Sequence, residues 1–173
     1  MAEQSIGRIF TQGDESSGLL VAWWEALEGS RGERASLRRA AGPAEVAYCA
    51  PFHSLLAKLR QAGYPVAARD ADRLAAVAGL AAHVRAHAAG AAVARQMAAA
   101  KTPGAGARVS GLRFRRLMAV ADRDELYPLL LRVVRLLDGT VNLVDLARAV
   151  YWWNERTKKE WAYEYYAAAP SEL

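Results

Sequence analysis

Asp70-Ala71-Asp72-Arg73-Leu74-Ala75-Ala76-Val77-Ala78-Gly79-Leu80-Ala81-Ala82-His83-Val84-Arg85-Ala86-His87-Ala88 reads as a long alanine-rich helix opened by Asp70 or Asp72. Leu74, Val77, Ala81, Val84 and Ala88 recur at helical spacing and give it one apolar stripe, with Gly90 as a break or kink. Alanine, the strongest helix former, fills 38 of the 173 positions, and β-branched clusters with period-two alternation are missing. The fold expected from this stretch outward is therefore all-α.

Toward the N-terminus, Ser17-Gly18 leads into an apolar run that Gly29 ends. A short helix follows over residues 33–41, stopped by Gly42-Pro43, and a third over 44–61, closed by Gly63 and Pro65. Toward the C-terminus, Lys101-Thr102-Pro103-Gly104-Ala105-Gly106-Ala107-Arg108 is the clearest flexible stretch. Beyond it Ser110 caps a helix with Phe114, Leu117, Met118 and Ala121 inward. Asp122 or Asp124 opens the next, and Asn142 with Asp145 resembles a capping box for a last helix over 143–167. The expected architecture is two small helical bundles joined by a flexible Gly/Ala-rich basic loop. Residues 1–100 form an N-terminal lobe, 101–109 the loop and 110–173 a C-terminal lobe.

Composition excludes several classes. With 53% apolar and 24% charged residues the chain can bury a core. The longest stretch without a charged residue, from Val46 to Ala57, is only 12 residues, too short for a membrane span. Met1-Ala2-Glu3-Gln4-Ser5 lacks a basic region leading into an apolar one, so no secretory leader is expected. The single Cys49 builds no disulfide framework, which makes a reducing cytoplasm the expected compartment.

Charge is uneven. From Asp72 to Asp122 no acidic residue interrupts 49 positions, and Arg73, Arg85, Arg95, Lys101, Arg108, Arg113, Arg115 and Arg116 give that stretch +8, leaving −3 for the remainder. An acid-free basic half suits a polyanion partner. Arg113 and Arg116 lie about 60° apart around one helix, and Arg132 and Arg135 repeat the offset on the next. Arg34 and Arg38 stand four apart beside Arg39, while Arg156, Lys158 and Lys159 follow Tyr151-Trp152-Trp153. Basic groups on separate helices can together form a groove that tracks a phosphate backbone. The tryptophans are read as core, with one of each adjacent pair, Trp23-Trp24 and Trp152-Trp153, left for an interface.

Catalytic chemistry is not expected. His83 and His87 have the i, i+4 spacing of metal ligands, but no acid lies within ten residues of either and the glutamate of a zincin motif is missing. Cys49 has no local base and reads as a buried thiol, and residues 102–106 lack the Gly-Lys-Ser/Thr of a P-loop. Neither a metal nor a cofactor is expected.

An ordered set of residues carries a resemblance. It runs Trp23-Trp24 with Leu27, Arg34-Ala35-x-Leu37-Arg38-Arg39, Phe52-x-x-Leu55, Val109-Ser110-x-x-Arg113-Phe114-x-Arg116-Leu117, Arg132-x-x-Arg135-Leu136-Leu137, Val141-Asn142, and Trp152-Trp153-x-x-Arg156 with Trp161. Together these resemble the CasB family, the small subunit of the Cascade surveillance complex in type I-E CRISPR systems, over residues 23–166. The resemblance implies a non-catalytic subunit that pairs with a second copy of itself among the guide-RNA-containing subunits. It also implies binding of nucleic acid without sequence preference and stabilisation of the R-loop by holding the displaced, single-stranded non-target DNA. By position, the family's arginines fall on Arg38, Arg39, Arg108, Arg113, Arg116, Arg135 and Arg156. The central loop departs from the family pattern, carrying only Lys101 and Arg108. Two rival readings are a stand-alone helical DNA-binding regulator with residues 110–120 as its recognition helix, and a helical enzyme using His83 and His87.

Overall fold

Helix α5 (Ala71–Ala81) is buried along its length from Leu74 to Ala81, and the other elements are arranged around it. The computed structural model describes residues 9–11 and 13–169; the expectation on residues 1–5 lies outside them. In chain order the elements are α1 (Glu15–Ala26), α2 (Arg31–Arg39), α3 (Pro43–Val46), α4 (Ala50–Gln61), α5, β1 (Ala86–His87), α6 (Val93–Ala98), α7 (Gly111–Met118), α8 (Arg123–Leu136), β2 (Thr140–Val141), α9 (Leu143–Tyr151) and α10 (Glu155–Ala168). The fold is all-α, and among the described residues its only strands are β1 and β2, two residues each, which pair in parallel with Ala86 opposite Thr140. Among the described residues no helix is long and apolar enough to cross a membrane.

The expected caps form where a short polar side chain meets free N–H groups. Ser110 accepts from the Arg113 N–H at 3.3 Å, Asp122 from Asp124 at 2.6 Å and Asn142 from Asp145 at 3.1 Å. Asp145 does not complete a capping box; its carboxylate accepts the Val93 N–H at 2.8 Å, tying the start of α6 to α9. The expected last helix is two, because Asn154 begins a new one by accepting from Thr157 while the Thr157 hydroxyl donates to the Trp152 carbonyl.

The alanine-rich stretch also stops sooner than its stripe predicts. Arg85 and Ala86 donate their N–H groups to the Gly139 carbonyl at 2.8 and 3.2 Å, and Ala88 donates to Val141. Pairing with β2 therefore takes the N–H groups that a continued helix would need, and Gly90 falls in a turn rather than in a helix.

The stretch from Lys101 to Arg108 is joined at its base by backbone hydrogen bonds. Arg108 donates to Ala99 and Val109 to Met97, both at 2.9 Å, and Ala105 turns back on Thr102. α5 packs on α8 and α9, α6 packs on α10, and one hydrophobic cluster runs from Ile9 to Tyr165. Small side chains on α5 make this crossing possible, since they let helices from both halves approach it closely.

Both tryptophans of the first pair are buried, because α1 is covered on two sides: Trp23 Nε1 donates to Pro51 at 2.9 Å and Trp24 Nε1 to Val84 at 3.1 Å. Trp153 is also buried, donating to Val120, and Trp152 is half-buried, donating to Ile9.

Gly79 sits where the Tyr127 ring of α8 crosses α5. A Cβ there would collide with the Tyr127 hydroxyl and press on Val46 Cγ2 at 3.0 Å. The hydroxyl has no hydrogen-bond partner among the described residues, and burial pushes its pKa up to about 12. Gly79→Ala should thus lower the unfolding free energy by about 1–3 kcal/mol in urea titrations despite alanine's better helix propensity. Tyr127→Phe, which deletes an unpaired hydroxyl, should be neutral or stabilising and should recover part of that loss in the double variant.

Candidate nucleic-acid interface

α7 and α8 both line a groove of about 400 Å³. Its lining is Arg113, Arg116 and Leu117 from α7, Leu129, Arg132, Val133, Arg135 and Leu136 from α8, and Val109. The pattern follows from helical geometry. Residues three apart sit near one another on a helix, so each helix carries two arginines at the margin of the face it turns to the core. The four arginines are exposed, whereas Val109, Leu117 and Val133 are buried and Leu129 and Leu136 half-buried. Among the described residues none of the four guanidinium groups has an ion-pair or hydrogen-bond partner.

Further basic groups gather at the C-terminal end of α8. Asp138, in the left-handed conformation at φ 55°, ends that helix, and its carboxylate receives Arg108 at 3.2 Å and Lys101 at 3.7 Å. Arg85, which stands out by no motif in the sequence, lies against Gly139 here, its Cγ 2.8 Å from where a Cβ would be. Only its place in the acid-free run signals it.

From the Arg85 segment the basic groups continue to α2. Arg34 donates through Nε to the Ala82 carbonyl at 3.1 Å and through Nη2 to Val84 at 2.7 Å, and Arg38 Nε donates to Ala82 at 2.7 Å. These carbonyls follow α5, so both arginines close a helix C-terminus as well as presenting charge. Arg39 is exposed and unpaired among the described residues.

α10 differs. Arg156 pairs with Glu160 at 3.2 Å, and Lys158 pairs with Glu155 at 3.3 Å beside the Trp153 ring, leaving Lys159 without an acidic partner among the described residues. The structure thus unites Arg113, Arg116, Arg132 and Arg135 in one groove, sets Arg108 and Lys101 at the end of α8, and pairs Arg156 and Lys158 with acids of their own helix.

His83 and His87 do not share a helical face. His83 follows the end of α5, and His87 lies in β1, where its Nδ1 accepts the Leu143 N–H at 3.0 Å. No group of three or more His, Cys, Asp or Glu able to hold a metal forms among the described residues. α7 is preceded by the hydrogen-bonded 101–108 segment rather than by a helix and tight turn, so it lacks the form of a recognition helix in a helix-turn-helix.

Burial, then Arg38, Arg135 and Arg34 in that order, holds the His83 pKa below its ordinary 6.5. The unfolded chain then binds a proton that the folded chain resists, so this contribution to stability is present above about pH 6.5 and is lost on acidification below it. His83→Gln should flatten that acid limb in unfolding measured across pH. Separately, Arg34→Ala uncovers two carbonyls and should cost about 1–2 kcal/mol in thermal or urea unfolding, whereas Arg113→Ala, exposed and unpaired, should stay within about 0.5 kcal/mol of the unaltered chain.

The comparisons agree with this architecture. The family described as CRISPR-associated protein Cse2 matches residues 33–166. The fold is similar to that of CasB from Thermus thermophilus, with a TM-score of 0.65 and 22% identity over 88% of this chain and 98% of that one. It is also similar to a chain in the crystal structure of E. coli Cascade bound to a PAM-containing dsDNA target, with a TM-score of 0.64 and 20% identity over 87% of this chain and 93% of that one. No curated protein sequence matches the chain. With a helical core assembled around α5 and a family match spanning most of its length, the chain belongs to the Cse2 family of CRISPR-associated proteins.

Proposed function

We propose that this chain is a non-catalytic small subunit of a type I-E CRISPR Cascade complex, which binds nucleic acid without sequence preference and stabilises the R-loop by holding the displaced non-target strand. Its partners are the guide-RNA-containing subunits, a second copy of itself and single-stranded DNA, in the cytoplasm. The observation that carries the reading is the α7–α8 groove, whose four exposed arginines are free of acidic partners. A guanidinium without an internal carboxylate is available to phosphate, and its fork matches phosphate oxygens. The arrangement also suits indifference to sequence, because phosphates are the same at every step of a strand. Exchange of DNA duplex for RNA–DNA heteroduplex is close to balanced, so a few such contacts to the freed strand suffice to tip it.

On this reading Arg113, Arg116, Arg132 and Arg135 make the principal contacts, with Lys101, Arg108, Arg34, Arg38 and Arg39 extending the path. Arg156, Lys158 and Lys159 make a smaller contribution because their helix carries its own acids.

In a complex reconstituted on matched target, the displaced strand should be protected from permanganate when this chain is present and reactive when it is omitted. Arg113→Ala with Arg116→Ala should weaken single-strand binding and shallow the slope of log affinity against log salt by about 1.4, the release expected from two phosphate contacts. Equal reactivity with and without the chain overturns the proposed role, and an unchanged salt slope removes those two residues from it.

A further inference from the structure

We infer that the α7–α8 groove takes unstacked nucleobases on its apolar floor, between arginines that hold the flanking phosphates, and so selects single strands over duplex. The inference rests on the nucleic-acid reading above and adds a contact that reading does not require. A surface that bound phosphate alone would need only charge. This groove instead places Val109, Leu117, Leu129, Val133 and Leu136 between two pairs of exposed arginines, and arginine supplies its only polar side chains.

Three considerations favour bases as the occupant. The volume of about 400 Å³ falls within the range of sites that enclose small planar molecules. Four guanidinium groups at the margins, unpaired among the described residues, suit an anionic partner, which disfavours an apolar peptide, and the apolar floor disfavours a simple polyanion. A single strand offers both chemistries at once, since its phosphates run beside base faces that are free to leave the stack, whereas a duplex keeps those faces covered. The floor has no amide, hydroxyl or carboxylate to read a base edge, so any base is accepted on its face. Arginine can further stack over a base from the rim.

The test compares three fluorescein-labelled probes on the full chain at one salt concentration: a thymidine homopolymer, the same backbone carrying abasic sites, and a duplex of equal length. The homopolymer should bind about tenfold more tightly than the abasic strand, the size expected when stacking of a base is lost, and more tightly than the duplex. Leu129→Gln with Leu136→Gln, both half-buried positions, should reduce homopolymer binding and leave abasic binding unchanged, with circular dichroism verifying the fold. Equal affinity for homopolymer and abasic strand overturns the inference even if the double glutamine variant fails to fold. In that event salt-dependent binding of both strands would still uphold the phosphate contacts, whereas binding of none of the probes would overturn those contacts as well.

Discussion

Helix α5 keeps no face for water from Leu74 to Ala81, and the carbonyls just past its C-terminus are the constraint on which the surrounding helices depend. The last carbonyls of any helix lack intrahelical partners, and a buried end must find protein donors for them. Past the end of α5 the Ala82 and Val84 carbonyls are met in this way by Arg34, Arg38 and the Trp24 indole, from two other helices. The same solution recurs at the end of α9, where Arg123 donates to the Val150 and Tyr151 carbonyls at 3.0 and 2.9 Å. Arginine suits the task because its fork reaches two carbonyls at once and its charge complements the negative end of a helix. An arginine-rich composition thus serves packing and surface charge together.

The groove between α7 and α8 follows from a similar economy of geometry. Each helix must turn apolar residues inward, and the arginines three apart at the edge of that face are carried to the mouth of the groove that both helices line. Asp138 stops the basic surface from being uniform: it accepts Arg108 and Lys101, fixing the base of the 101–108 segment to the end of α8. Its left-handed backbone is tolerated because aspartate is among the residues that adopt that conformation at modest cost.

The all-helical class, most helix positions and three caps were legible because Ser110, Asp122 and Asn142 stand where short polar side chains meet apolar periodicity. The pairing of Arg113 with Arg116, and of Arg132 with Arg135, was legible from helical angles alone, whereas their meeting across two helices is a tertiary fact. The early end of α5 was hidden, since alanine fits a helix, a turn or a short strand equally well and the deciding partner, Gly139, lies far along the chain. The double role of Arg34 and Arg38 could not be read from spacing, because their carbonyl partners belong to another element.

The stitching of Arg34 and Arg38 into the α5 terminus bears on how a polyanion would experience this surface. A free arginine loses rotamer entropy when a partner immobilises it, at a cost on the order of 0.5–1.5 kcal/mol per side chain. Hydrogen bonds to neutral carbonyls leave the guanidinium its full positive charge while holding it still, so for these two residues much of that ordering is completed when the protein folds. They act as preorganised charge, held in place before any partner arrives, whereas the groove arginines have no such bonds among the described residues and are left to be ordered by whatever they bind.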